Sequence, residues 1–313
     1  VVEVERRADL RGDGLELAQG EGKCFGGHGC ERINLTEEPP PSSTREARGS
    51  WLLQRGVPRF LSSIPARRAL YGGGVELETI GTMRTCFPEK FGIPRQPGLA
   101  PLARGILRFS ASQPAAVWRD AMRGLEGFSH LWVTFVFHEA VAEGWRGLVR
   151  PPRLGGKEKM GVWATRSPHR PNFLGLSLLE IDAIDFDEPA IRFRGVDLLD
   201  GTPVVDLRPY HPGHDLPKSA TRDGWIAGAP EPAAAVEWGE GALRRIPELA
   251  ARTPAGMPAY TAEELRGLVE SLVALDPRPA HQRGESGDWA MRLLGFDVKI
   301  RMTGARAMIA ALE

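Results

Sequence analysis

Between Gly161 and Tyr210 the chain reads GVWATRSPHRPNFLGLSLLEI and, after a short gap, GVDLLDGTPVVDLRPY. Two loops dense in Arg, Pro, Asn, Asp and Gly thus run straight into apolar segments. Leu176 to Ile184 and Thr202 to Leu207 have the length and branched-aliphatic content of buried strands. Pro168 and Pro171 fix their own φ and restrict the residues before them. Arg166 and Arg170 therefore project from a stiff segment, and loops held by rigid strands are where binding groups usually sit.

Further strand signals fall at Leu77–Met83, Gly105–Phe109, Leu131–Phe137, Gly161–Ala164, Ala190–Val196 and Val204–Leu207. One helix interrupts them, with Ser112 as N-cap, Pro114 in the first turn, and Val117, Ala121 and Leu125 on one face. Short strands joined by Gly/Pro-rich connections predict a mainly β chain closed into a barrel. From Pro230 to Gly256 the Ala/Pro/Gly-rich composition predicts a linker or meander. Thr261–Leu275 then reads as an amphipathic helix: Thr261 and Glu264 form a capping box, and Leu265, Leu268, Val269, Leu272 and Val273 make one stripe. Phe296–Met302 and the Ala-rich end add a strand pair, giving a small α+β C-terminal domain. Residues 1–74 carry a linker-like run (Glu37–Thr44), a Tyr71–Gly74 hinge and a short helix near Pro65–Leu70, and read as a mostly disordered extension. The expected division is 1–74, 75–228 and 229–313.

Lys plus Arg equals Asp plus Glu, at 40 each, so net charge names no partner, but its distribution is uneven. From Arg146 to Arg170 seven cations face a single acid, Glu158, which suits a local polyanion contact; a solvated basic loop is the bland alternative. No apolar run approaches the ~20 residues that span a bilayer, and the charged first residues do not form a signal peptide. Three cysteines make no disulfide framework and fit a reducing, cytoplasmic setting.

Taken with EKFGIPRQPGLAPLARG (89–105), GLEGFSHLWVTFVFHE (124–139), RPPRLGGKEKMG (150–161) and ALDPRPAHQRGE (274–285), the opening stretch resembles the TsaA-like (TrmO) family of tRNA methyltransferases. The resemblance runs from about Leu77 to the end, with one departure: Phe173 stands where the family usually has the second Pro of Pro-Asn-Pro. It implies a non-Rossmann β-barrel that uses S-adenosylmethionine, acts as a homodimer, and methylates N6 of threonylcarbamoyl-adenosine beside the anticodon of tRNA. Carried over by motif, cofactor contacts fall on Pro94, Arg95, Gln96, His138, Glu139, Arg166, Leu176, Asp200, Gly201, Thr202 and Pro203. Arg95 or Arg166 can fork onto a carboxylate, and Leu176 can cover an adenine. Arg150, Arg153, Lys157, Lys159 and Arg170, with His169 and Asn172 nearby, form the expected RNA rim. The proton acceptor stays open between Asp200 and His138.

Each residue has a plainer reading. Asp200-Gly201 is a common turn dipeptide, and a histidine at a strand end is usually satisfied by backbone. Cys24, His28 and Cys30 lack a second ligand pair, so no metal is expected. Gly72–Gly74 follows no strand, which argues against a doubly wound nucleotide domain, and no nucleophile elbow supports hydrolase chemistry. Two alternatives remain: a non-catalytic RNA-binding barrel, and a methyltransferase acting on a small molecule.

Overall fold

The computed structural model describes residues 76–227 and 234–313. The first half supplies β1 (Gly81–Thr85), β2 (Arg104–Phe109), helix α1 (Ala115–Met122), β3 (His130–Val136), the short pair β4 (Leu148–Val149) and β5 (Met160–Gly161), β6 (Leu174–Asp185), β7 (Ala190–Arg194), β8 (Thr202–Pro209) and a single turn, α2 (Pro212–Asp215). Six of these strands close into an antiparallel barrel in the order β1-β2-β7-β6-β3-β8. Period-two patterning drives the closure. In β3, Leu131, Val133 and Phe135 point inward and are buried, while the residues between them face out. Met83, Leu107, Leu179, Ile191, Phe193 and Val204 join them at 0% exposure. The barrel interior is a packed core.

The second half adds β9 (Ala235–Trp238), α3 (Glu240–Ala251), α4 (Ala262–Ala274), β10 (Gly287–Leu293), β11 (Phe296–Thr303) and β12 (Arg306–Leu312). The strands form a sheet in the order β10-β11-β12-β9, with β9 parallel to β12. Both expected features of α4 are present: the reciprocal Thr261–Glu264 capping box, and a buried stripe of Leu265, Leu268, Val269, Leu272 and Val273.

The mainly β barrel matches the sequence expectation, but several local readings do not. β1 begins at Gly81 rather than Leu77, and of Gly161–Ala164 only Gly161 is strand, because Val162–Ala164 turn into a 3-10 helix. Pro114, not Ser112, occupies the N-cap of α1, and the Ser112 hydroxyl pairs with Ser110 instead. Val117 and Ala121 are exposed; α1 anchors through buried Met122 and through Trp118, which stacks on Phe109 with centroids 4.9 Å apart. The expected linker 230–256 contains β9 and α3, whose Ala242, Ile246 and Leu249 are buried. Pro247 inside α3 disguises that period. The helix expected near Pro65–Leu70 and the Cys24, His28, Cys30 set lie outside the described residues.

The barrel and the C-terminal half share one hydrophobic core. Buried Arg104 of β2 donates to the Ala259 carbonyl, pairs with Glu264 of α4 and lies 4.7 Å from the Tyr260 ring centroid. Leu294 N–H donates to the Cys86 carbonyl at 3.1 Å. Burial pushes the Cys86 thiol up to about 12, so it stays an inert core thiol at neutral pH.

Candidate active site

Outward side chains of two paired strands build the wall of a cleft. Trp132, Thr134 and Val136 of β3 stand beside Leu178, Leu176 and Leu174 of β6 in register. All of these except Leu178 line a hollow of about 840 Å³, within the usual range for a cofactor-sized ligand. Leu176 is 56% exposed there, an apolar face with no protein partner. Gly175 is needed at the neck, because a Cβ would sit 2.3 Å from the Phe135 ring. The segments 93–97, 137–143, 165–170 and 197–199 supply most of the remaining lining, with Lys90, Phe135, Gly175, Ser177 and Thr202.

These loops are stapled by their own polar atoms. Thr165 Oγ1 donates to the Val162 carbonyl at 2.8 Å, and Ser167 N–H donates back to Thr165 Oγ1 at 3.2 Å. Arg170 turns inward and donates to the Thr165 carbonyl at 2.8 Å, so its guanidinium holds the loop's shape. Phe173 adopts φ 53°, the left-handed region, and its carbonyl accepts from Phe137 N–H at 2.7 Å. A proline there could not take this φ, so the departure from Pro-Asn-Pro changes the backbone itself. Arg166 is exposed on the same loop and donates to Gln96 Oε1.

Charge around the cleft is mostly paired. Lys90 Nζ lies 3.7 Å from Glu139 and 3.6 Å from Glu143, and Glu143 also faces Arg146 and His169. Arg95 is different. Its Nη2 makes long contacts with the Asp276 and Arg278 carbonyls, 3.4 and 3.5 Å, while Nη1 is buried with no acceptor. Burial, and then the neighbouring Arg283 charge, bring it down to about 10. A guanidinium held short of acceptors suits a carboxylate or phosphate ligand.

Of the expected cofactor residues, the cleft gathers Pro94, Arg95, Gln96, His138, Glu139, Arg166, Leu176 and Thr202. Asp200, Gly201 and Pro203 stand just behind it. Asp200 Oδ1 accepts from Arg84 Nε and Thr85 N–H, both at 2.8 Å, clasping the end of β1. Gly201 supplies the positive φ (81°) of the turn, and Pro203 pairs with Thr82. Among the expected RNA residues, Arg170 lines the cleft and Arg150 lines an adjoining hollow of about 520 Å³ with Arg95, Arg278 and His281. Arg153 is half-buried beside them, and Lys157 and Lys159 are exposed on the following loop. Asp197, which no sequence motif singled out, lines the cleft with its Oδ1 buried and without a hydrogen-bond donor among the described residues. Burial raises its carboxyl to about 6, against a Ser177 hydrogen bond and the Arg166 charge that lower it. Its only written signal was its place in VDLLDGTP, three residues before Asp200.

Fold and cleft together define a class: a closed antiparallel barrel carrying a cationic and apolar ligand site on its outer wall. That geometry differs from the strand-end crevice of doubly wound nucleotide binders. Residues 82–216 match the model of the tRNA-methyltransferase O N-terminal domain, and residues 245–313 that of the TrmO C-terminal domain. The chain belongs to the TrmO family. It is 41% identical over 243 residues to a "tRNA (adenine(37)-N6)-methyltransferase" of Escherichia coli K12, covering 76% of this chain and 97% of that one. It is 45% identical over 220 residues to "Putative S-adenosylmethionine-dependent methyltransferase RcsF" of Pseudomonas aeruginosa, covering 70% and 89%. A crystal structure of TrmO from Pseudomonas aeruginosa superposes with a TM-score of 0.60 at 34% identity, over 77% of this chain and all of that one.

Proposed function

We propose that this protein transfers the methyl group of S-adenosylmethionine to N6 of adenosine 37 in tRNA, with the threonylcarbamoyl-modified base as acceptor. One observation carries the reading. Residues carried over by motif from 94–96, 138–139, 166–176 and 202 line one cleft, which sets a guanidinium with an unsatisfied nitrogen, Arg95 Nη1, beside an exposed apolar face. The residues fit the cofactor: Arg95 and Arg166 would hold its carboxylate, Gln96 and the 137–139 segment its polar groups, and Leu176 its adenine face. S-adenosylmethionine supplies an electrophilic methyl group; the protein supplies alignment, exclusion of water and a route for the acceptor's proton. Thr202, delivered by the Asp200–Pro203 turn, closes the floor.

Arg150, Arg153, Lys157 and Lys159 would meet tRNA phosphates on the adjoining rim, while Arg170 fixes the loop between the two functions. No helix among the described residues is long and apolar enough to cross a membrane. The cytoplasm, where tRNA is matured, is the proposed compartment. The proposed division is a barrel domain over 75–228 and an α+β domain over 229–313, joined through Arg104. A homodimer is proposed on the excursion from Trp145 to Trp163, whose Trp163, Leu148 and Trp145 are 78, 59 and 50% exposed; a second copy would cover them. The inward residues of β3 cannot line that interface, because they fill the barrel.

The test is methyl incorporation into tRNA from cells lacking the gene, read by mass spectrometry of nucleosides, with calorimetric titration of S-adenosylmethionine. Arg166→Ala should weaken cofactor affinity by about tenfold or more, since a charge-assisted contact is lost. Cofactor binding without tRNA methylation would favour a small-molecule acceptor, and no cofactor binding a non-catalytic RNA-binding barrel.

A further inference from the structure

We propose that Asp197 is the group that takes the acceptor's proton during methyl transfer, an inference that rests on the function proposed above. The amide-like N6 of a carbamoylated adenosine is a weak nucleophile, because the carbamoyl group withdraws its lone pair. Its proton must leave as the new bond forms. A positioned acceptor inside the cleft is therefore required.

The structure narrows the choice. Three carboxylates line the cleft: Glu139, Glu143 and Asp197. Glu139 pairs with Lys90 and is exposed, and Glu143 faces Lys90, Arg146 and His169. Asp200 spends Oδ1 on Arg84 and Thr85 and stands behind the lining. Asp197 alone among the three has no ion pair among the described residues, and its Oδ1 is buried with no donor. A buried carboxylate oxygen without a donor is costly to maintain, so native proteins seldom keep one without a use. The groups that face it are Ser177 of β6 and Arg166 of the 165–170 loop, with Arg95, His138 and His169 elsewhere on the lining. Burial outweighs Ser177 and Arg166 and lifts the carboxyl to about 6, from an ordinary 3.8. At neutral pH the group is still mostly ionised, and it holds a proton far better than an exposed aspartate does.

The step balances without oxidant or reductant. The N6 lone pair forms the new carbon–nitrogen bond as the methyl carbon–sulfur bond breaks, and the N6 proton passes to Asp197 Oδ1. The sulfonium's positive charge ends as that proton, which is released to solvent after the products leave.

Asp197→Asn keeps shape and polarity but cannot accept the proton. The turnover rate should fall by about 100-fold or more, while affinities for S-adenosylmethionine and tRNA stay within about threefold of the parent's. Asp197→Glu should recover part of the rate. The acid limb of the parent's pH–rate profile near pH 6 should vanish in Asp197→Asn. Independently of activity, a carbon-13 carboxyl titration of the free protein should show one aspartate with a midpoint near 6, absent from the variant. Folding provides a check with its own sign. A raised native pKa means stability is greatest below the unfolded value, near 4, and declines as pH rises through about 6. Asp197→Asn should therefore melt a few degrees higher at pH 7.5, with a smaller gain at pH 4. A variant that keeps its rate, or one whose loss is matched by tenfold weaker cofactor binding, overturns the assignment; the second outcome makes Asp197 a cofactor ligand. A parent that neither binds S-adenosylmethionine nor methylates tRNA overturns the proposed function, and the role of Asp197 with it.

Discussion

Arg278→Ala tests how the DPRP segment after α4 supports the cleft. Arg278 is 1% exposed and each of its three side-chain nitrogens donates a hydrogen bond. Nε and Nη2 fork onto Asp276 Oδ1 and Oδ2 at 2.8 and 2.9 Å, Nη1 reaches the Glu285 carbonyl at 2.7 Å, and Nη2 also reaches the Gly304 carbonyl at 2.9 Å. The guanidinium lies 5.5 Å from the Trp289 ring centroid. Truncation leaves a buried Asp276 carboxylate without its cation and two carbonyls without donors. Breaking one side of such a pair typically costs about 3–5 kcal/mol, more than a cavity of this size would by itself. The pH dependence separates the charge effect from lost packing. Burial alone would raise the Asp276 pKa, but the Arg278 hydrogen bonds and charge overcome it and hold the group below the ordinary carboxylate range. In the parent, this contribution is present above the unfolded value and is lost as pH falls through the native one. In the variant the sign reverses: Asp276 is buried without its cation, and protonation relieves it. The stability gap between parent and variant, from urea denaturation, should therefore narrow between pH 7.5 and pH 4. Cofactor affinity should fall as well, because the Asp276 and Arg278 carbonyls hold Arg95. A loss below about 1 kcal/mol, or a gap that does not change with pH, would refute the argument.

Replacing both Lys157 and Lys159 with Ala should weaken tRNA binding and flatten its salt dependence by roughly one to two units of log–log slope, with S-adenosylmethionine binding unchanged. A parental slope would make the rim a solvated loop. Asp200→Ala removes the acceptor shared by Arg84 and Thr85 N–H, and should cost about 1–2 kcal/mol of stability by thermal or urea melting; an unchanged melting curve would contradict the clasp.

Much of this was legible in the sequence. Short apolar runs at 131–137 and 176–184 announced strands of the barrel, and the Thr261–Glu264 box with its leucine and valine stripe announced α4, because local composition and capping are written within a few residues. Of the eleven cofactor residues carried over by motif, eight line the cleft. What the sequence left unmarked depends on partners far along the chain. β9 is a strand because β12, some 70 residues later, offers it an edge. Arg170 and Asp200 look alike, in sequence, to ligand-binding groups. Only the tertiary structure reveals that one staples its own loop and the other clasps β1. Asp197 is the converse case. Nothing in VDLLDGTP distinguishes it from Asp200, yet folding buries its oxygen beside the cleft and leaves it without a donor. Residue type and spacing determine what a side chain could do, but burial and the competition among nearby donors decide what it has left to offer, and those are properties of the packed chain alone.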